Sequence, residues 1–435
     1  MHVVRSILLG TSIAVSLASC ASVQPSSAVA AQRLDQVFQR LLDDPDHGMA
    51  SLSVLAVRGG KVSYAGQFGM RHVGALRPAT PETMYRIASI SKMVTTIGVM
   101  RLVEQGTLSL DQDVGTYLGF QVRNPAFPTH KITLRMLLSH TSSLRDDAGY
   151  SWGASTALRD KMQQTGPMWA ARAAPGTYFT YCNLNWGVVG TVMEAVTGER
   201  FDRLMRRLVL QPLSLRGGYN VAEFAGTDWS NVATLYRKRA SENAPWNPAG
   251  PWFAQVDDTS MPAAPVAELE RYVPGTNGTL FSPTGGLRIS AADLGKIMLM
   301  FMDQGRHQGA AFLQPASVAA MFAPQWTYTA ASANGDTHDG LFAAWSLGSQ
   351  RFEDRAGQRS SLVEGGGFSA SGHLGDAYGL LSVFALDFNN RNGMLVLIGG
   401  TAHDPAAKPG HYSALSRLEE LLLTPLYRNA VLPSQ

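Results

Sequence analysis

The sequence predicts an α/β protein of the α+β kind, in which both ends of the chain build one antiparallel sheet and a mostly helical lobe is inserted between them. Strand-like runs at residues 51–57 and 62–68 meet at Gly59-Gly60, and three more, at 342–347, 380–387 and 394–398, lie in the last third. Between them, from Ile90 to about Leu210, the apolar spacing is mostly helical. Hairpin-linked strands need no crossover helix, so two outer β segments around an inner helical block imply one sheet with an insertion.

The elements follow in order. Leu34, Val37, Phe38 and Leu41 recur at helical spacing and precede the first hairpin. Residues 31–100 and 280–435 form the sheet lobe and 101–279 the helical lobe. Within the latter, residues 240–274 are long and irregular but carry Trp246, Trp252 and Phe253, which marks a surface loop. A last helix places Leu415, Leu418 and Leu422 on one face, and Thr424-Pro425 is expected to end it. No internal repeat is evident.

The chain has 435 residues, 45% hydrophobic and 16% charged, an ordinary globular balance. Its net charge is +3 and its basic residues are scattered, which excludes a phosphate-tracking stripe and sets nucleic acid aside. Near the N-terminus Arg5 precedes an apolar stretch at 7–17, too short to span a bilayer, that reads as a secretory signal. Leu17-Ala18-Ser19-Cys20 resembles the bacterial lipobox. That resemblance implies removal of the residues before Cys20, lipid on Cys20 as the first residue of the mature chain, a tether at 21–30 and a periplasm-facing place in the cell envelope; the alternative is a plain cut near Ala18 or Ala30. Ala21 stands where Asp commonly marks inner-membrane retention, which points to the outer membrane. Cys182 is the only other cysteine, so there is no disulfide framework.

The chemistry is concentrated in three short segments. Residues 84–92 read Met-Tyr-Arg-Ile-Ala-Ser-Ile-Ser-Lys and lead into apolar residues at 90, 93, 94, 97 and 100, so Ser89 opens a helix. Side chains three apart on a helix are neighbours, which brings Lys92 to the Ser89 hydroxyl. A lysine withdrawn from water at a helix N-terminus loses its proton more easily, and a neutral amine can take the proton of an attacking serine. Tyr181-Cys182-Asn183 precedes a helix with Val188, Val189, Val192, Met193 and Val196 on its apolar side, with Gly198 placed to cap it. A phenol beside a lysine can relay protons, and an amide can hold a peptide carbonyl. Cys182 is either an available thiol or a small buried residue. The third segment is Ser371-Gly372-His373-Leu374-Gly375-Asp376.

In this order and context the three segments, with Leu137-Leu138-Ser139-His140-Thr141-Ser142-Ser143-Leu144 between the first two, resemble the class C β-lactamase and D-alanyl-D-alanine carboxypeptidase family of serine hydrolases. Ser143 stands where that family usually has glycine. The resemblance covers about residues 31–423. It implies a β-lactamase/transpeptidase-like fold and an acyl-enzyme formed on Ser89, with Lys92, Tyr181 and His373 catalytic and Asn183, Gly375 and Asp376 binding substrate. The N–H groups of Ser89 and Asp376 would form an oxyanion hole, and His373 would bind a substrate carboxylate or assist proton transfer. His140 reads as structural support. No Gly-x-Ser-x-Gly elbow, His-Glu-x-x-His helix or phosphate-binding loop competes, so neither metal nor organic cofactor is expected.

His373 in place of the lysine usual in β-lactamases exchanges a permanent cation for a group mostly neutral near pH 7. That favours a carboxypeptidase or other peptidase acting on D-amino-acid peptides, or an esterase, with a small-molecule or peptide substrate. The competing function is an envelope lipoprotein that binds penicillin or muropeptide with little turnover.

Overall fold

The computed structural model describes residues 27–432 apart from 164–165 and 355–358; Cys20, the expected signal and the first part of the tether lie outside the described residues. Helix α1, Ser27–Asp43, begins inside the expected tether. Strands β1, Ser51–Arg58, and β2, Lys61–His72, pair antiparallel with Arg58 opposite Lys61. The two intervening residues, Gly59 and Gly60, have φ of +57° and +78°, the left-handed pair that a type I′ hairpin requires. β1 is buried from Ser51 to Val57 because both its faces are covered. Leu52, Val54 and Ala56 join one apolar cluster, and Leu55 and Val57 the other.

Strand β3, Met84–Arg86, pairs with residues 288–290 and feeds helix α2, Ile90–Glu104. Helix α3, Leu184–Thr197, ends on Gly198 at φ +65°, as its sequence position requires. Helix α4, Ala291–Met302, is capped by the Ser290 side chain on Asp293 N–H. Strands β4, Ala370–Ala377, β5, Leu380–Asp387, and β6, Asn392–Ile398, complete the sheet, and helix α5, Arg417–Leu426, follows.

Across the nine-stranded antiparallel sheet the order is Trp326–Thr327, Ala344–Trp345, Gln350–Phe352, β4, β5, β6, β1, β2, Arg77–Pro78. β6 joins the halves, with Val54 opposite Val396 and Val383 opposite Val396 on its other side. One sheet face packs on α2 and α4 through Leu55, Leu395, Ile97 and Ile297, and the other on α1 and α5 through Val396, Val383, Phe38 and Leu422. The chain thus has the predicted α/β organisation.

Three local expectations are corrected. The run at 342–347 yields only the strand Ala344–Trp345, because Phe342 turns into an aromatic cluster with Phe179, Trp326 and Trp345 and Gly348 bends the chain at φ +72°. The last helix does not end at Thr424-Pro425: α5 runs through Pro425 and widens into a π turn, Tyr427–Val431. Buried Leu422, Leu426 and Val431 hold the helix and its π turn in place despite the missing proline N–H. Finally, the surface loop at 240–274 contains the strand Phe253–Val256, which pairs with Leu235–Arg237, itself parallel to Gly400–Thr401. The inserted lobe is therefore helical only in part.

Candidate functional site

Pairing of Met84 with Ser290 and Arg86 with Arg288 fixes the approach to α2. Ala88 then takes φ +46°, a left-handed conformation costly for a residue with a Cβ, and this turn places Ser89 at the N-terminal end of α2. Ser89 is partly exposed between buried Ala88 and Ile90.

One turn later Lys92 is fully buried, since α2 is enclosed almost all round. Its Nζ donates to Ser89 Oγ at 2.8 Å, Asn183 Oδ1 at 2.8 Å and Thr284 O at 3.0 Å. No carboxylate is among these acceptors. Burial therefore pulls its pKa from 10.5 down to about 7, against a smaller upward pull from Asp146.

Tyr181 Oη donates to the same Ser89 Oγ at 2.8 Å. Burial pushes its phenol well above the usual range, so it stays protonated near neutrality. The ring is clamped by His140, stacked at 4.4 Å, and by Phe342, stacked at 5.5 Å. His140 is buried, and its Nδ1 accepts the Cys182 N–H at 2.9 Å: it supports Tyr181 from behind. Cys182 is fully buried and its thiol, donating to Asp146 at 3.4 Å, is pushed well above the ordinary range. Of the two readings of Cys182, the available thiol is excluded.

Asn183 Oδ1 accepts from both Lys92 and Thr284 Oγ1, the latter at 2.7 Å. Its Nδ2 donates to Asp146, which also accepts the backbone N–H groups of Asn183 and Leu184 at 2.8 and 2.9 Å. A carboxylate is well placed against the unpaired N–H groups at the start of α3.

β4 forms the opposite wall. His373 is buried; its Nδ1 donates to Leu374 O at 2.6 Å, which leaves Nε2 as a lone-pair nitrogen, and Nε2 is buried without a partner among the described residues. Burial, then the Lys92 charge, draws this imidazole down to about 3, so it is neutral at physiological pH. At Gly375 a Cβ would stand 2.6 Å from Ile87 O and 2.3 Å from Ser382 Oγ; only glycine lets the strand lie against the Ser89 turn. Ser89, Tyr181, Asn183, His373, Gly375 and Asp376 line one cavity of about 1100 Å³. All six residues, and Lys92 behind them, converge as the sequence implied.

The Beta-lactamase family model matches residues 34–416. The chain belongs to that family. It is 30% identical over 217 residues to Esterase EstB of Burkholderia gladioli, covering 46% of this chain and 55% of that protein. It is 27% identical over 255 residues to Penicillin-binding protein 4 of Amycolatopsis lactamdurans, covering 58% and 60%. It thus spans less than two thirds of the length of these curated relatives. EstCE1, a hydrolase with promiscuous acyltransferase activity, superposes with a TM-score of 0.64 at 23% identity over 92% of this chain and 99% of its own, a likeness of fold.

Asp146 and Thr284 were not singled out by sequence reasoning. Thr284 lies in the turn-rich run Ser282-Pro283-Thr284-Gly285-Gly286; Asp146, reaching α3 from a loop, has no local signal. Among the described residues no three His, Cys, Asp or Glu side chains are placed to hold a metal ion, and no helix is long and apolar enough to cross a membrane.

Proposed function

We propose that this β-lactamase family member is a serine hydrolase that forms an acyl-enzyme on Ser89. The observation that carries this reading is the convergence of Lys92 Nζ and Tyr181 Oη on Ser89 Oγ, each at 2.8 Å. With a pKa of about 7, a large fraction of Lys92 is neutral at working pH and takes the serine proton during attack on an amide or ester carbonyl. Tyr181 stays protonated and passes a proton to the leaving group, recovering it from Lys92. The N–H groups of Ser89 and Asp376 receive the oxyanion, with Gly375 allowing the approach. Asn183 holds the substrate amide and orients Lys92. Water then releases the acyl group, with neutral Lys92 taking its proton as it attacks the Ser89 ester.

The substrate is a D-amino-acid peptide or an ester rather than a β-lactam, since His373 is neutral where a β-lactamase has a lysine. The similarity to an esterase and to a penicillin-binding protein supports both branches. The signal-like N-terminus and Cys20 support a lipid-anchored, periplasm-facing protein.

Intact mass of the protein lacking residues 1–20, after incubation with a penicillin or an activated ester, tests the nucleophile. An adduct on the parent and none on Ser89→Ala is expected. A folded parent that gains no mass with either reagent overturns the acyl-enzyme.

A further inference from the structure

The direction of helix α1 is fixed by two contacts: Tyr64 Oη donates to Asp35 at 2.7 Å, and a Cβ at Gly69 would stand 3.0 Å from Leu42 Cδ1. α1 therefore runs alongside β2 in the same sense, with its first turn toward the Gly59-Gly60 hairpin. The turn between β5 and β6 reaches the same end, since Gly60 N–H donates to Arg391 O at 2.7 Å. So does the C-terminal π turn, where Arg58 Nη1 donates to Leu432 O at 3.2 Å.

This end of the molecule is cationic. Arg33, Arg58 and Lys61 are exposed, and none has a carboxylate partner among the described residues. Arg391 comes only to 4.0 Å from Asp303. No acidic side chain stands in the first turn of α1, so the positive end of its dipole adds to the charge. Val29 and Val62, 46% and 48% exposed, sit beside these cations in sequence and in space. Unpaired basic groups around exposed apolar side chains match the headgroup layer of an anionic bilayer. Cys20, proposed above to carry lipid, is seven residues before Ser27, at most about 25 Å along the chain; an anchor there keeps this end nearest the membrane. The Ser89 cavity opens at the other end of the same strands. Gly375 pairs with Ser382 and Asp376 with Leu381, whereas Arg391 lies beyond Asp387, about 20 Å further along β5.

We infer that the end carrying Arg33, Arg58, Lys61 and Arg391 with Val29 and Val62 docks on an anionic phospholipid surface, and that this docking turns the Ser89 cavity away from the bilayer, toward substrates in the aqueous phase. The inference goes beyond the hydrolase reading. It does not require lipid on Cys20, although an anchor acts at the same end.

A chain starting at Ala21 contains the whole described fold and no anchor. At low salt it should sediment with phosphatidylglycerol vesicles, remain in solution with phosphatidylcholine vesicles, and be released from the former by high salt. Arg58→Gln/Lys61→Gln should weaken binding on the order of twentyfold, since each basic residue at such a surface contributes about fivefold, and should leave hydrolysis in solution unchanged. Arg172→Gln/Arg271→Gln removes the same charge from exposed positions on the inserted lobe and should have a far smaller effect. A parent that binds both vesicle types equally, or neither, overturns the docking face. An equal loss in the two double variants also overturns it, because net charge alone would then account for binding. Hydrogen exchange of the vesicle-bound parent reads the orientation: slowed exchange at residues 59–62 and 388–391, with the cavity loops unchanged, is expected, and the reverse pattern overturns it. A full chain recovered from the cell envelope without added lipid mass refutes the anchor instead, while the vesicles still decide the docking face.

Discussion

Lys92 is where a single residue sets the pH response. It is the base only when neutral, and its buried position brings its pKa to about 7. Acylation should therefore rise about tenfold per pH unit below 7 and level off above it, read as the rate of adduct appearance across pH 5–9. Stability carries the same sign for this group. The unfolded lysine keeps its proton up to about 10.5, so between pH 7 and 10.5 the unfolded state binds more protons and the cost of burying the amine is progressively relieved as pH rises. Lys92→Ala should slow acylation on the order of 10²- to 10⁴-fold. A flat profile, or a Lys92→Ala protein that acylates normally, would assign the base elsewhere. Ser89 and Lys92 were legible from helical spacing, whereas Tyr181, Asn183 and His373 were legible only through the order of the three segments and the family resemblance that order carries. Asp146 was not, because its role depends on a loop meeting the start of α3 in space, and no local spacing encodes that contact.

At the scale of elements, the site depends on how closely β4 and α3 are held against the Ser89 turn. Gly375→Ala would drive a methyl into Ile87 O and Ser382 Oγ and push β4 away from Ser89. The expected result is slower acylation with a stability loss of about 1–3 kcal/mol, as for other overpacked sites, measured by adduct formation beside urea unfolding. Asp146→Ala acts from the other wall: it strips the start of α3 of its carboxylate and frees Asn183, at about 1–3 kcal/mol for the N–H groups left unpaired. Unaltered stability would mean that water replaces the carboxylate without loss. Elements with strong local signals were read correctly from sequence, as the Gly59-Gly60 hairpin and the Gly198 cap illustrate. Where tertiary packing outweighed the local signal, the reading failed: Pro425 should stop a helix, but the apolar residues around it are worth more than the hydrogen bond it lacks, and Phe342 left its strand for an aromatic cluster.

Across the whole molecule, the sheet separates two kinds of work. The face toward α2 and α4 supports the reacting groups, whereas the face toward α1 and α5 carries apolar packing. Phe38 tests this division. It is fully buried between α1 and the hairpin, with ring centres 6.0 Å from Tyr64 and 5.8 Å from Phe68. Phe38→Ala should cost about 3–5 kcal/mol, the usual range for emptying a buried aromatic site. The lost packing lies behind the sheet from Ser89, and the register of β1 against β6 is set by backbone bonds and by residues on both faces. Under conditions where the variant is folded, its rate of acylation should therefore match the parent's, while its urea midpoint falls. A variant that stays folded but acylates slowly would show that the sheet transmits strain from its far face to the Ser89 turn, and the two faces would then have to be treated as one mechanical unit.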